Sequence, residues 1–209
     1  MRFPTYTKVM VISLLLLSCS ERGHVSDTSD LYTIPSDYTK QVLAYRSEVE
    51  KEFKSADSPL PDSLAASFSG LHYFDIDTNY RVVAKVEHIT DGKIFRIEAS
   101  GNIADLFQKV AVLHFSLGGM EQELHVYMNV IMQDKGEDYF FIPFRDATNG
   151  NETYVAGRYL DMEVLEGDAV VLDFNYCYQP YCAYNHTYSC PIPPMENTLT
   201  VPVRAGERM

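Results

Sequence analysis

From Tyr38 the chain carries an apolar residue every three or four positions: Tyr38, Val42, Tyr45, Val49 and Phe53 form one stripe at helical period. Ser36 or Asp37 is placed to cap the first turn, and Ser58-Pro59-Leu60-Pro61 stops the run, so a helix is predicted over about Asp37–Lys54. Glu50 and Lys54 sit one turn apart on its flank and add a few tenths of a kcal/mol. The period then changes to two. Tyr80–Val86 alternates and is β-branched, and Asp91-Gly92 reads as a hairpin turn into Ile94–Ile97. Val110–Leu117 is a strand that Gly118-Gly119 turns into Leu124–Val130. Tyr139–Ile142 is predicted as a buried strand stopped by Pro143, with a polar loop through Asn149-Gly150. Tyr159–Val164 and Ala169–Phe174 are expected to form a further pair. Leu199–Val203, interrupted by Pro202, is expected to close the sheet as an edge or bulged strand. Many short strands with one helix predict a mainly β fold: a single antiparallel β-barrel or sandwich-like domain with one N-terminal helix.

Composition agrees with that picture. A chain of 209 residues is enough for one domain with a sizeable core, and 46% hydrophobic with 22% charged residues is the globular range. The formal net charge of -12 argues against a nucleic-acid partner, because phosphate binding needs an excess of Lys and Arg.

The first residues read as an address. Arg2 and Lys8 precede a short apolar run, Val9–Leu17, too short to span a bilayer as a mature helix. It ends at Leu16-Leu17-Ser18-Cys19, which resembles a bacterial lipobox whose cysteine becomes the acylated first residue. The expected organisation is a lipoprotein signal peptide over 1–18, a Ser/Asp/Thr-rich tether over 19–35, and one β-rich domain over 36–209. The expected partner of Cys19 is then the lipid bilayer, and the expected location is the bacterial cell envelope, on the periplasmic or outer-membrane face.

Asp173–Asn197 is the most unusual stretch. It holds three of the four cysteines, five tyrosines, four prolines and three asparagines, with His186, Asp173 and Glu196. Phe144–Tyr154, Gly157–Leu160, Asp173–Asn175, Cys182–Asn185, Cys190–Asn197 and Ala205–Glu207 together resemble the signature blocks of the DUF1684 family, bacterial and archaeal proteins of unknown function. The resemblance runs from about Tyr45 to Glu207 and implies an architecture and a set of signature positions, not an activity. Cys177 departs from it, standing where the family pattern more often has a small non-thiol residue.

Three chemistries are open in these residues. Cys182 and Cys190 suit a disulfide in an oxidising compartment, closing a short loop around His186; metal ligation by Cys177, Cys182, His186 and Cys190 is the competing reading, and its spacing matches no common zinc pattern. Asp173 and Glu196, if adjacent, would serve a hydrolase as acid and base. Arg158, Asn175, Asn197 and the tyrosines would line a small-molecule or glycan site, with Asp146, Thr153, Tyr154, Tyr184 and Asn185 among the signature positions as further contacts. Against this stands a structural reading, in which Arg158 pairs with Asp146 or Asp173 and the amides pin irregular backbone. A metal site from His114 and His125 across their hairpin is a further reading, less common than surface or core histidine in a strand. No P-loop, GxGxxG, HExxH or GxSxG motif is present, so no cofactor and no bound metal are expected.

Overall fold

In the computed structural model, which describes residues 29–101, 106–133, 139–163 and 165–209, the helical stripe folds as expected: α1 spans Tyr38–Phe53 with Tyr38, Val42, Val49 and Phe53 buried. Asp37 is its N-cap residue, yet its carboxylate takes the Gln41 side chain at 2.9 Å instead of a first-turn amide. Glu50 and Lys54 pair at 2.9 Å. The expected signal peptide, Cys19 and the first part of the expected tether lie outside the described residues.

The strands are β1 (His72–Tyr73), β2 (Arg81–His88), β3 (Ile94–Arg96), β4 (Leu106–Leu117), β5 (Met120–Asn129), β6 (Phe140–Phe144), β7 (Arg158–Met162), β8 (Ala169–Asp173) and β9 (Glu207–Arg208), with single helical turns α2 (Asp62–Ala65) and α3 (Val130–Gln133). β1 and β9 form a two-stranded ribbon. The main sheet runs β7-β6-β5-β4-β2-β8 with β3 added to β4, and all its pairs are antiparallel. It curls into a half-barrel, so that Leu160 of one edge strand and Val170 and Leu172 of the other enter the same core. The expectation of one mainly β antiparallel domain with an N-terminal helix holds.

Gly118 and Gly119 both take positive φ, and Leu117 pairs with Met120, as a two-residue hairpin demands. Other expected connections differ. Asp91-Gly92 makes no β2–β3 hairpin; β2 and β3 lie along the same side of β4 and run in the same direction, His88 opposite Ala111 and Ile94 opposite Gln108. Glycine is needed there for close approach, since a Cβ on Gly92 would stand 1.9 Å from the Lys109 carbonyl oxygen. Pro143 does not stop β6 but lies within it, opposite Tyr159. The β5–β6 ladder is registered only at Tyr127–Phe141 and Met128–Phe140, so proline removes no donor from that ladder. β7 and β8 are not partners: they stand at opposite ends of the sheet order. Leu199–Val203 is not a regular strand. Thr198, just before it, makes a parallel bridge with Arg145, while Leu199, Val201 and Val203 are buried in the core.

Two apolar layers form on the two faces of the sheet. Leu113, Phe115, Leu124, Val126, Ile142 and Phe144 face the concave side and are closed over by Phe174 and the 199–205 strap. Phe107, Tyr127, Phe141 and Tyr159 face the other side, where Tyr178, Cys182 and Cys190 cover them. Neighbours such as Phe141 and Ile142 fall in different layers, as the strand period requires. Burial on both faces is why β6 reads as an unbroken apolar run.

Candidate functional site

Arg158, at the start of β7, has no exposed surface. Its Nη1 donates to the carbonyls of Ala205 at 2.6 Å and Glu207 at 3.1 Å; its Nη2 donates to the Val203 carbonyl at 2.6 Å and to Asp146 Oδ2 at 2.9 Å. The ring of Phe144 lies under the guanidinium, 5.4 Å from it. A buried cation is tolerated only when paired and hydrogen-bonded. Here one carboxylate and three main-chain oxygens supply that, and Nε alone lacks an acceptor. Asp146 is fixed in turn by the amides of Thr148 and Val203. This is the structural role for Arg158, paired with Asp146.

The amides do the same work. Asn175 Oδ1 accepts from the Asp77 amide while its Nδ2 donates to the Asp77 carbonyl. Asn197 treats His125 likewise, at 2.8 and 2.9 Å, and also donates to the Pro143 carbonyl at 2.8 Å. Each side chain stands in for a strand residue where the ladder has no partner. Asn185 Nδ2 holds the Pro59 carbonyl and its Oδ1 takes the Thr187 amide. Thr153 is buried against Thr148 and Asn149, and the Tyr154 amide donates to Gln179. Gln179, which sequence reasoning passed over, also bridges Tyr184 and the Arg208 carbonyl; nothing in its local sequence marks it as buried.

The tyrosines are equally committed. Tyr45 meets Tyr176 edge-on at 5.0 Å, and Phe53 meets Tyr184 at 5.0 Å and Tyr181 at 6.0 Å. Tyr181 donates to Glu52 and Tyr184 to the buried Glu207. The α1 stripe therefore docks on the 174–184 segment, and these rings pack against it.

Cys182 and Cys190 are unbridged and buried, with the Cys182 amide 3.2 Å from Cys190 Sγ. The hydrogen bond from the Cys190 thiol pulls Cys182 below the usual thiol range against the opposing effect of burial, and Cys190 is pushed up correspondingly. Cys177 lies apart, bonded to the Ala205 carbonyl and raised to about 12 by burial. Among the described residues no group of three or more His, Cys, Asp or Glu side chains is arranged to hold a metal ion, so Cys177, Cys182, His186 and Cys190 are not gathered into one ligand set.

Asp173 and Glu196 are not brought together. Asp173 accepts from Tyr38 Oη at 2.9 Å and from the Asn175 amide, with Arg81 at 3.9 Å. Glu196 lies over β4 and β5, 2.6 Å from Lys109 Nζ and 2.6 Å from Tyr127 Oη. The two networks share no partner. Burial works against the Glu196 charge, but the bonds from Lys109 and Tyr127 and the nearby His125 outweigh it and lower its pKa, the opposite of what a general acid needs.

What remains open is a gap that sequence reasoning did not identify. β7 and β8 face each other across a cavity of about 210 Å³ lined by Leu160, Asp161, Met162, Glu163, Val171, Asp173 and Tyr176. Asp161 is held by two phenols, Tyr139 at 2.5 Å and Tyr178 at 2.7 Å, whose pKa values burial and then the Asp161 charge drive well above 10. In the sequence Asp161 is simply the polar position of an alternating strand, and only the pairing of β7 with β6 and β8 with β2 puts it opposite Asp173.

Arg158→Ala is expected to cost about 3–5 kcal/mol, since it leaves Asp146 buried without its cation. Urea unfolding at neutral pH measures it. A loss under 1 kcal/mol would remove Arg158 from the centre of the framework.

The model of a family described as protein of unknown function, DUF1684, matches residues 66–208. The solution NMR structure of an uncharacterized protein from Haloarcula marismortui is similar at 37% identity, over 83% of this chain and 95% of that chain, with a TM-score of 0.65. None of the curated proteins compared with the chain matches it. The matched span starts later than Tyr45, leaving α1 outside it, but takes in every strand from β1 to β9 and all the pinning residues from Asp146 to Glu207, and the chain belongs to the DUF1684 family.

Proposed function

We propose that this is an envelope lipoprotein that binds a small molecule in the seam between β7 and β8. The observation that supports the site is the cavity of about 210 Å³ between two sheet edges, lined by apolar and carboxylate side chains together. The signature residues Arg158, Asn175 and Asn197 have no surface left to offer a ligand, so their role is to hold the scaffold that keeps the seam open. Tyr45, Tyr176, Tyr181 and Tyr184 are engaged in packing α1 against the 174–184 segment, which favours a structural role for them over glycan recognition. Filling the seam tests the reading: Val171→Phe should abolish the amide shift changes that a small-fragment library produces at Leu160–Glu163 and Val171–Tyr176, without changing the unfolding free energy by more than about 1 kcal/mol. Fragments that shift other regions, and leave the seam unmoved, would refute it.

The anchor is Cys19, acylated after removal of residues 1–18, which would leave a net charge of -14 on a domain tethered at the membrane surface. Cys19→Ala is expected to move the protein from the membrane to the soluble fraction on cell fractionation; unchanged membrane association would sink the anchor.

In an oxidising compartment Cys182 and Cys190 would bridge, giving up two protons and two electrons to a disulfide-donating oxidant and closing a loop over the seven residues between them; the 3.2 Å approach of the Cys182 amide to Cys190 Sγ supports this reading. Protein isolated from cells and alkylated after denaturation should carry one label, on Cys177, without reductant and three with it. Three labels in both samples would exclude the bridge.

A further inference from the structure

The composition of the seam indicates what enters it. Resting on the reading that this cavity binds a small molecule, we propose that its ligand is a short aliphatic amine, held with its ammonium group at the carboxylates and its hydrocarbon against the wall.

Three of the seven lining residues are carboxylic acids, Asp161, Glu163 and Asp173, and none is Lys, Arg or His. Arg81 Nε stands 3.9 Å from Asp173 Oδ2. The lining itself carries three carboxylates and no basic side chain, so its own charge is acidic. The hydrogen bonds around it suit that charge. Tyr139 and Tyr178 each donate to a different oxygen of Asp161, and Tyr38 and the Asn175 amide donate to Asp173, so both groups act as acceptors. Burial keeps these three phenols protonated, so they serve as donors and add no negative charge. An anionic ligand would meet acceptors on every polar wall, and a neutral one would leave them poorly matched.

The remaining wall is apolar: Leu160, Met162 and Val171, with Tyr176 held edge-on by Tyr45. A thioether and an aromatic ring beside carboxylates suit an alkyl chain and an ammonium head. Size sets the upper bound. A cavity of about 210 Å³ is below the roughly 300–1,000 Å³ of sites for drug-sized ligands, so the hydrocarbon is short. The formal charge of -12 on the whole chain adds long-range attraction for cations.

The test uses three probes that share one hydrocarbon body: n-butylamine, n-butanol and butanoate, titrated into the full chain and followed by amide chemical shifts. Butylamine should shift Leu160–Glu163 and Val171–Tyr176 at saturable concentrations, with butanol at least about tenfold weaker and butanoate inactive. Glu163→Gln, at an exposed position, should weaken butylamine several-fold, and Asp161→Asn more strongly; the first variant keeps the test valid where the second disturbs its tyrosines. Butanol or butanoate binding the seam as well as butylamine would overturn the amine assignment while leaving the cavity a binding site. No shift at the seam with any probe would overturn both.

Discussion

The buried guanidinium of Arg158 is the constraint on which the rest of the molecule depends. It gathers the carbonyls of Val203, Ala205 and Glu207 and the Asp146 carboxylate around one planar cation. A lysine at this position would be a point charge on a flexible stem and could not present two nitrogens in that fixed fork. Because each carbonyl comes from the C-terminal strap, the interaction decides where the strap lies. The strap in turn brings Val201, Val203 and Ala205 over the concave core. A single ion pair thus takes the place of a ladder that an ordinary closing strand would make.

The same substitution recurs elsewhere in the fold. Asn175 and Asn197 each present an amide edge to a backbone N–H and C=O, at Asp77 and at His125, and Gln122 receives the Thr200 amide in a similar way. Irregular chain beside a sheet must find partners for every buried peptide group. A carboxamide carries both a donor and an acceptor, so it imitates a peptide unit without requiring a strand. Gly206 shows how closely the pieces approach: its φ is +70°, and a Cβ there would lie 2.4 Å from the Cys177 carbonyl oxygen. Family signature positions in this protein are thus mostly devices for holding backbone.

That economy has a functional side. With its closing segment pinned by side chains, the sheet need not complete a barrel, and β7 and β8 remain as facing edges with a cavity between them. Exposed edges invite pairing with other chains unless charge or cover prevents it. Asp161, Glu163 and Asp173 line this gap, and the 174–184 segment packed on α1 lies beside it. These carboxylates place negative charge along both edges, which discourages pairing with a foreign strand.

The sequence by itself determined the local elements. The stripe from Tyr38 to Phe53 specified α1 to within a residue at each end, because a helical face must be apolar at every third or fourth position to be buried. Gly118-Gly119 specified its hairpin, because two successive positive φ values admit little else. The pairing of Arg158 with Asp146 was one of two structural options read from the residues, the other being Asp173. What only the tertiary structure decided was which strands are neighbours and which polar groups converge. β7 and β8 are adjacent in sequence and look like a hairpin, yet β7 pairs with the preceding strand β6 and β8 with β2, far back in the chain, so the two end on opposite edges of a sheet that curls and buries β7 on both faces. Asp173 was singled out with Glu196, 23 residues along the same segment, while the residue facing it across the cavity is Asp161. A one-dimensional pattern records which side chains want burial; it does not record the curvature that brings two edges of one sheet together.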